Sequence, residues 1–89
     1  MKLKMTVEIW EKANWYIAKS PELDIVSQGP TIEEAKANLN EVIQIQFEEM
    51  LEMGTLEEFL EECGYKVEND MAIPSSEMVG YEKRALQVG

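Results

Sequence analysis

Residues 14–39, NWYIAKSPELDIVSQGPTIEEAKANL, decide the fold. Trp15 to Lys19 has the aromatic and β-branched character of a strand. Ser20-Pro21-Glu22-Leu23-Asp24 interrupts it, because Pro21 has no N–H for a ladder and biases Ser20 toward extended geometry. Residues 25–28 predict a short third strand, and Gly29-Pro30 ends it. Thr31 stands three residues before Glu34, the capping-box spacing in which hydroxyl and carboxylate each satisfy a backbone N–H at a helix start. Such a cap stabilises the first turn by about 1 kcal/mol. Glu33 and Glu34 also sit where the helix dipole favours negative charge.

Downstream, Ile32, Ala35, Leu39, Val42, Ile43, Phe47 and Met50 recur at spacings of three and four, which predicts a long helix with one buried stripe lying on the sheet. Gly54 supplies a left-handed stop. Thr55 and Glu58 repeat the capping-box spacing, so a second, two-turn helix is expected up to Cys63, ended by Gly64. Ile45, Leu51 and Met53 lie off the stripe and either cover the short helix or meet another subunit. Residues 65–68 predict a fourth strand. Residues 69–76 contain Pro74-Ser75-Ser76 and read as a loop. The segment VGYEKRALQV, residues 79–88, has β-rich ends and the only adjacent basic pair, Lys83 and Arg84. As a strand it is an edge, folded back on its own subunit or added to a neighbour's sheet.

Upstream, Leu3, Met5, Val7 and Ile9 alternate with Lys2, Lys4, Thr6, Glu8 and Trp10, the pattern of one half-buried strand. A polar break at residues 11–14 predicts an antiparallel hairpin with the run that follows. Trp10 and Tyr16 are expected on the sheet face away from the helix, as cross-strand partners of one another or as contacts for a partner molecule.

A chain of 89 residues supports one thin core, so residues 1–69 read as one domain and residues 70–89 as a loop and β-prone tail. A marginal core gains by self-association, and a homodimer is expected. No apolar run approaches the roughly 20 residues that span a bilayer, and the N-terminal lysines belong to a strand pattern rather than a signal peptide. Cys63 is the only cysteine, which excludes an intrachain disulfide and suits a reducing, cytoplasmic compartment. Eighteen acidic against eight basic residues leave a net charge of −10, which disfavours phosphate backbones and anionic membranes. The charge is concentrated. Residues 31–63 hold ten glutamates against Lys36 alone, a net of −9, either a solvated face or a docking surface for a basic partner.

The same composition argues against an enzyme. There is no histidine, so Ser–His and Cys–His nucleophile arrangements are excluded, and a zinc site of ordinary ligands is implausible. Glu8 is the only acid inside the first strand. Nothing in the sequence brings Glu22 and Asp24 together with Glu68 and Asp70 as a metal cluster, and there is no glycine-rich phosphate loop. No catalytic residue, cofactor or metal is expected.

The phrase Trp15-Tyr16-Ile17-Ala18-Lys19-Ser20-Pro21-Glu22-Leu23-Asp24, then Ser27-Gln28-Gly29, then Thr31-Ile32-Glu33-Glu34-Ala35 and Asn38-Leu39, resembles the HicB-like antitoxin family over residues 2–68. The resemblance implies an α+β, partial ribonuclease-H-like fold. In it a three-stranded antiparallel meander carries a long and a short helix on one face, and a fourth strand returns parallel to strand 1 in the order 3-2-1-4. It also implies an antitoxin that neutralises a small basic HicA-type ribonuclease toxin by direct contact. Many members carry a C-terminal helix-turn-helix or ribbon-helix-helix module, and the residues after Glu68 are too few for one, so direct nucleic-acid binding is not expected. The alternative is an orphan HicB-like domain, structural or homo-oligomeric, with a different protein partner. Candidate partner-binding residues are Tyr16, Glu22 and Asp24 at the corner and its neighbouring strand, with Glu48, Glu49 and Glu52 on the acidic helices.

Overall fold

In the computed structural model, which describes residues 1–89, the alternating N-terminal run is two strands rather than one: β1, Lys2–Leu3, and β2, Glu8–Lys12. The cause of the break is a single side chain. The Thr6 N–H donates to both carboxylate oxygens of Glu22, at 3.0 and 3.1 Å, and its hydroxyl donates to Oε2 at 2.7 Å. A backbone donor committed to a side chain cannot serve a ladder. Replacing Glu22 by alanine removes charge-assisted bonds from a half-buried site, and we expect a loss of about 2 kcal/mol. A lowered denaturation midpoint together with faster exchange of the Thr6 amide is the expected result; fast exchange without loss of stability would show the bonds to be incidental.

β2 pairs antiparallel with β3, Trp15–Ser20, and β3 with β4, Ile25–Gly29. The β2–β3 turn is tight. Ala13 and Asn14 both take positive φ, 48° and 69°, and Lys12 faces Trp15 across the closing pair, as a two-residue type I′ turn requires. The meander expected from the sequence is therefore present, with β2 in the place of the first strand.

Helix α1, Ile32–Met53, begins as its cap spacing predicts: Thr31 is extended, and its hydroxyl accepts from the Glu34 N–H at 3.1 Å. The return bond from the Glu34 carboxylate is not made. At the other end Gly54, at φ 74°, closes a Schellman turn in which Gly54 N–H donates to Leu51 O and Thr55 N–H to Met50 O. Helix α2, Leu56–Glu62, lacks the side-chain cap expected at Thr55. With ψ at 3°, Thr55 is not extended, because its own N–H is tied into that Schellman turn, and a cap residue needs extended backbone for its hydroxyl to reach the first turn.

The largest departure lies after the helices. Strand β5, Tyr65–Glu68, does not return parallel to the first strand. It pairs antiparallel with β6, Met71–Pro74, and β6 is the strand parallel to β1. The loop expected over residues 69–76 is thus a hairpin. Asn69 and Asp70 at φ 52° and 61° make its turn, since these residues tolerate left-handed backbone, and Pro74 ends the strand at a position where its missing N–H is tolerated. The order 3-2-1-4 is accordingly replaced by two three-stranded sheets, β1-β6-β5 and β2-β3-β4.

The core lies between the sheets and the helices. Ala35, Leu39 and Ile43, four apart on α1, meet Ala18, Leu23 and Ile25 on one side, and Leu56, Leu60, Tyr65 and Ala72 complete the cluster. Phe47 and Phe59 join the two helices edge to face, with ring centroids 6.3 Å apart. The Ser20 hydroxyl is fully buried without a partner.

Tyr65 ties the second sheet to the start of the chain, its hydroxyl donating to Lys4 O at 2.8 Å. Burial, with the Glu22 charge second and Cys63 third, pushes its pKa up to about 12. Between about pH 10, the ordinary value, and about 12 the folded chain keeps a proton that the unfolded chain has lost. This contribution to stability is whole below about pH 10 and disappears as pH rises through the folded value. We expect the denaturation midpoint to fall across that window in the wild type and to fall less in Tyr65→Phe; equal slopes would exclude Tyr65 as the cause.

Candidate partner-binding surface

The outward side of α1 is built from the same periodicity that buries the inward one. Glu41, Ile45, Glu48 and Glu52 recur at spacings of four, three and four on the side opposite Ala35, Leu39 and Ile43. Glu49 lies beside this stripe. Ile45, Leu51 and Met53 are about 49, 63 and 74% exposed. Of the two expectations for these three side chains, cover for the short helix is not what the structure shows. The helices carry one ion pair, Lys36–Glu33 at 3.3 Å, and the other nine glutamates of residues 31–63 have no cationic partner. A layer of negative charge that nothing within the chain offsets makes the local potential strongly negative and favours a cationic ligand.

Two clefts flank α1. One, of about 330 Å³, lies between Met1 and Leu3 on the strand side and Ile43, Phe47 and Leu51 on the helix, with Glu48 on its wall. The second, of about 570 Å³, lies on the β4 side, where Leu23, Asp24 and Ile25 face Val42, Gln46, Phe59, Glu62 and Cys63. Burial first, then the charges of Glu62 and Asp24, raises the Cys63 pKa, which keeps the thiol protonated and weakens it as a nucleophile. No three acidic or cysteine side chains are arranged to hold a metal ion.

The six residues singled out in the sequence do not form one patch. Glu48, Glu49 and Glu52 share the outward part of α1, and Asp24, exposed at φ 55°, stands at the mouth of the second cleft. Glu22 is committed to Thr6 within its own chain. Tyr16 corrects an expectation. In the β3 register it shares a face with Ala18, which is fully buried, and it packs at the border of the core rather than on the sheet face away from the helix. Its ladder partner is Glu11, whose hydrogen bonding and charge raise the phenol pKa.

The face away from the helix carries Trp10, as expected, paired with Ile17, and Trp15 paired with Lys12; Val26 faces Lys19 one strand further on. Trp10, Trp15 and Val26 are about 60, 48 and 56% exposed. Trp15, Ile17 and Val26 were not among the candidate residues. Alternation along β3 already puts Trp15 and Ile17 on one face; that Trp10 and Val26 join them follows from the β2–β3 and β3–β4 registers. No helix is long and apolar enough to cross a membrane. Comparison with family models, with curated proteins and with solved structures finds no match.

Proposed function

We propose that this chain is an antitoxin-like binding module that neutralises a small basic ribonuclease toxin of the HicA type by direct contact. The observation that carries the reading is the helical layer of uncompensated glutamates with Ile45, Leu51 and Met53 exposed among them. Charge of one sign steers a cationic partner and sets its orientation, while apolar side chains beside it supply the area that slows dissociation. Neutralisation is steric: a toxin whose basic RNA-binding surface lies against α1 has no surface left for RNA. In the same reading the body is a partial ribonuclease-H-like scaffold, supported by the antiparallel meander under α1 and by a strand, β6, parallel to β1. The chain works in the cytoplasm, without catalysis, cofactor or nucleic-acid contact of its own.

The test is calorimetric titration with a small basic ribonuclease of this type at low and high salt. Affinity is expected to fall with salt, and Glu48→Lys, Glu49→Lys and Glu52→Lys together weaken binding by about 10- to 100-fold. Ribonuclease inhibition falls in step. A dissociation constant indifferent to both salt and charge reversal would sink the proposal. The exposed tail described next favours a second reading, a homo-oligomeric domain of the same ancestry with another protein partner.

A further inference from the structure

Residues 76–89 make no backbone hydrogen bond. The last bond of the ladder is Ser75 N–H to Gly64 O at 2.8 Å, and beyond it the one polar tie to the body is the ion pair of Glu77 with Lys4 at 3.0 Å. Val79, Tyr81, Leu86 and Val88 are 82 to 98% exposed. The chain consequently measures 50 Å along its longest axis with a radius of gyration of 15.4 Å, against about 12 Å for a compact fold of this length.

A second unpaired element lies in the same molecule. β2 is an edge of its sheet, bonded to β3 alone. Its inner-face Ile9 is still 37% exposed. The break at Thr6 places β2 in a different sheet from β1 and β6, so the chain that continues from β6 does not stay alongside β2 of its own copy. An open edge with apolar side chains is a template for an added strand. The tail has what such a strand needs: free backbone groups, β-rich ends, and Lys83, unpaired where Arg84 is held by Glu82, to meet Glu8 or Glu11 of the edge.

We propose that the free edge of β2 receives residues 78–88 of a second copy, and that the exchange is reciprocal. One two-fold arrangement then pairs both unpaired elements of both copies, covers Ile9 and the tail's apolar side chains, and needs no other partner. The inference does not depend on the antitoxin reading.

The experiment uses the full chain, mixed from ¹⁴N- and ¹⁵N-labelled copies and treated with a carbodiimide that joins lysine to carboxylate at zero length. Mixed-label peptides joining Lys83 to Glu8 or Glu11 are expected. In sedimentation equilibrium the full chain is expected at twice its mass of 10.2 kDa. A chain ended at Ser76 is expected at half the mass of that dimer, with its far-UV circular dichroism kept. Same-label cross-links alone, meaning a tail on its own β2, would overturn the proposal. So would a full chain that stays monomeric up to millimolar concentration, or a shortened chain that dimerises as the full one does. If the shortened chain does not fold, the cross-links decide.

Discussion

Replacing Leu39 by alanine is expected to cost about 3–5 kcal/mol, the upper range for a leucine that leaves a cavity at a site unable to collapse. Leu39 is fully buried in the middle of α1, between Ala35 and Ile43 on the helix and with the sheet beneath it. Neither neighbour can fill the space. Ala35 has no side chain to reach with, and Ile43 is one turn away and already inside the core. The effect is large against the whole. At about 0.05–0.15 kcal/mol per residue a chain of this size has a total stability of roughly 4–13 kcal/mol, so at the lower end of that range the variant is mostly unfolded. Urea denaturation followed by circular dichroism reads it: the midpoint drops with an unchanged slope. A loss below about 1 kcal/mol would mean that the helix settles onto the sheet and closes the cavity.

Gly29→Ala is expected to cost about 3 kcal/mol, the high end for overpacking, through one methyl group. A Cβ at this position meets the Ala35 nitrogen at 2.8 Å and the Glu34 carbonyl carbon at 3.0 Å. Both are backbone atoms of the first turn of α1, so no side chain can swing aside, and the helix start must lift off β4. The lift strains the Thr31 cap, 3.1 Å from Thr31 Oγ to the Glu34 nitrogen, and the bond from Asn38 Nδ2 to Gln28 O at 2.8 Å. Denaturation of Gly29→Ala beside Gly54→Ala separates space from backbone conformation. At Gly54 nothing lies within 4 Å of an added Cβ, and the only cost is its left-handed φ of 74°, about 1 kcal/mol. A Gly29→Ala variant no less stable than Gly54→Ala would show that the helix start moves without penalty.

How much of this was legible in the residues depends on the range over which each feature is decided. The Thr31 cap, the Gly54 stop, the Ala35-Leu39-Ile43 stripe and the outward line of glutamates all follow from spacings of three and four within one helix. Each needs only the chain's own local geometry, and each is where the pattern put it. The acidic half of the candidate surface was readable for the same reason: side chains opposite a buried stripe face outward whatever the sheet does. The corner residues were not. Glu22 looked free because nothing nearby in sequence suggests Thr6 as its partner, sixteen residues away. Tyr16 was assigned to the wrong face because the side of β3 that α1 covers is chosen by Ala18 and Ser20, the two residues small enough to lie under it.

The β2–β3 hairpin, the limits of α1 and the distribution of charge were therefore determined by the sequence alone, since backbone preference, capping and side-chain period act within a few residues; the split of the first strand and the strand at residues 71–74 were not. The tertiary structure alone decided which strand lies beside the first. The sequence marks residues 65–68 as β-forming, and β5 is indeed a strand there. Yet the parallel place beside β1 goes to residues 71–74, because the left-handed Asn69-Asp70 turn folds β6 back between β5 and β1. Strand neighbours are chosen by competition among backbone edges some seventy residues apart, Lys2 against Met71, and by whether Thr6 gives its N–H to a ladder or to Glu22. Neither contest is settled by any window of neighbouring residues, and both require the chain to be folded before the winning partner is within reach.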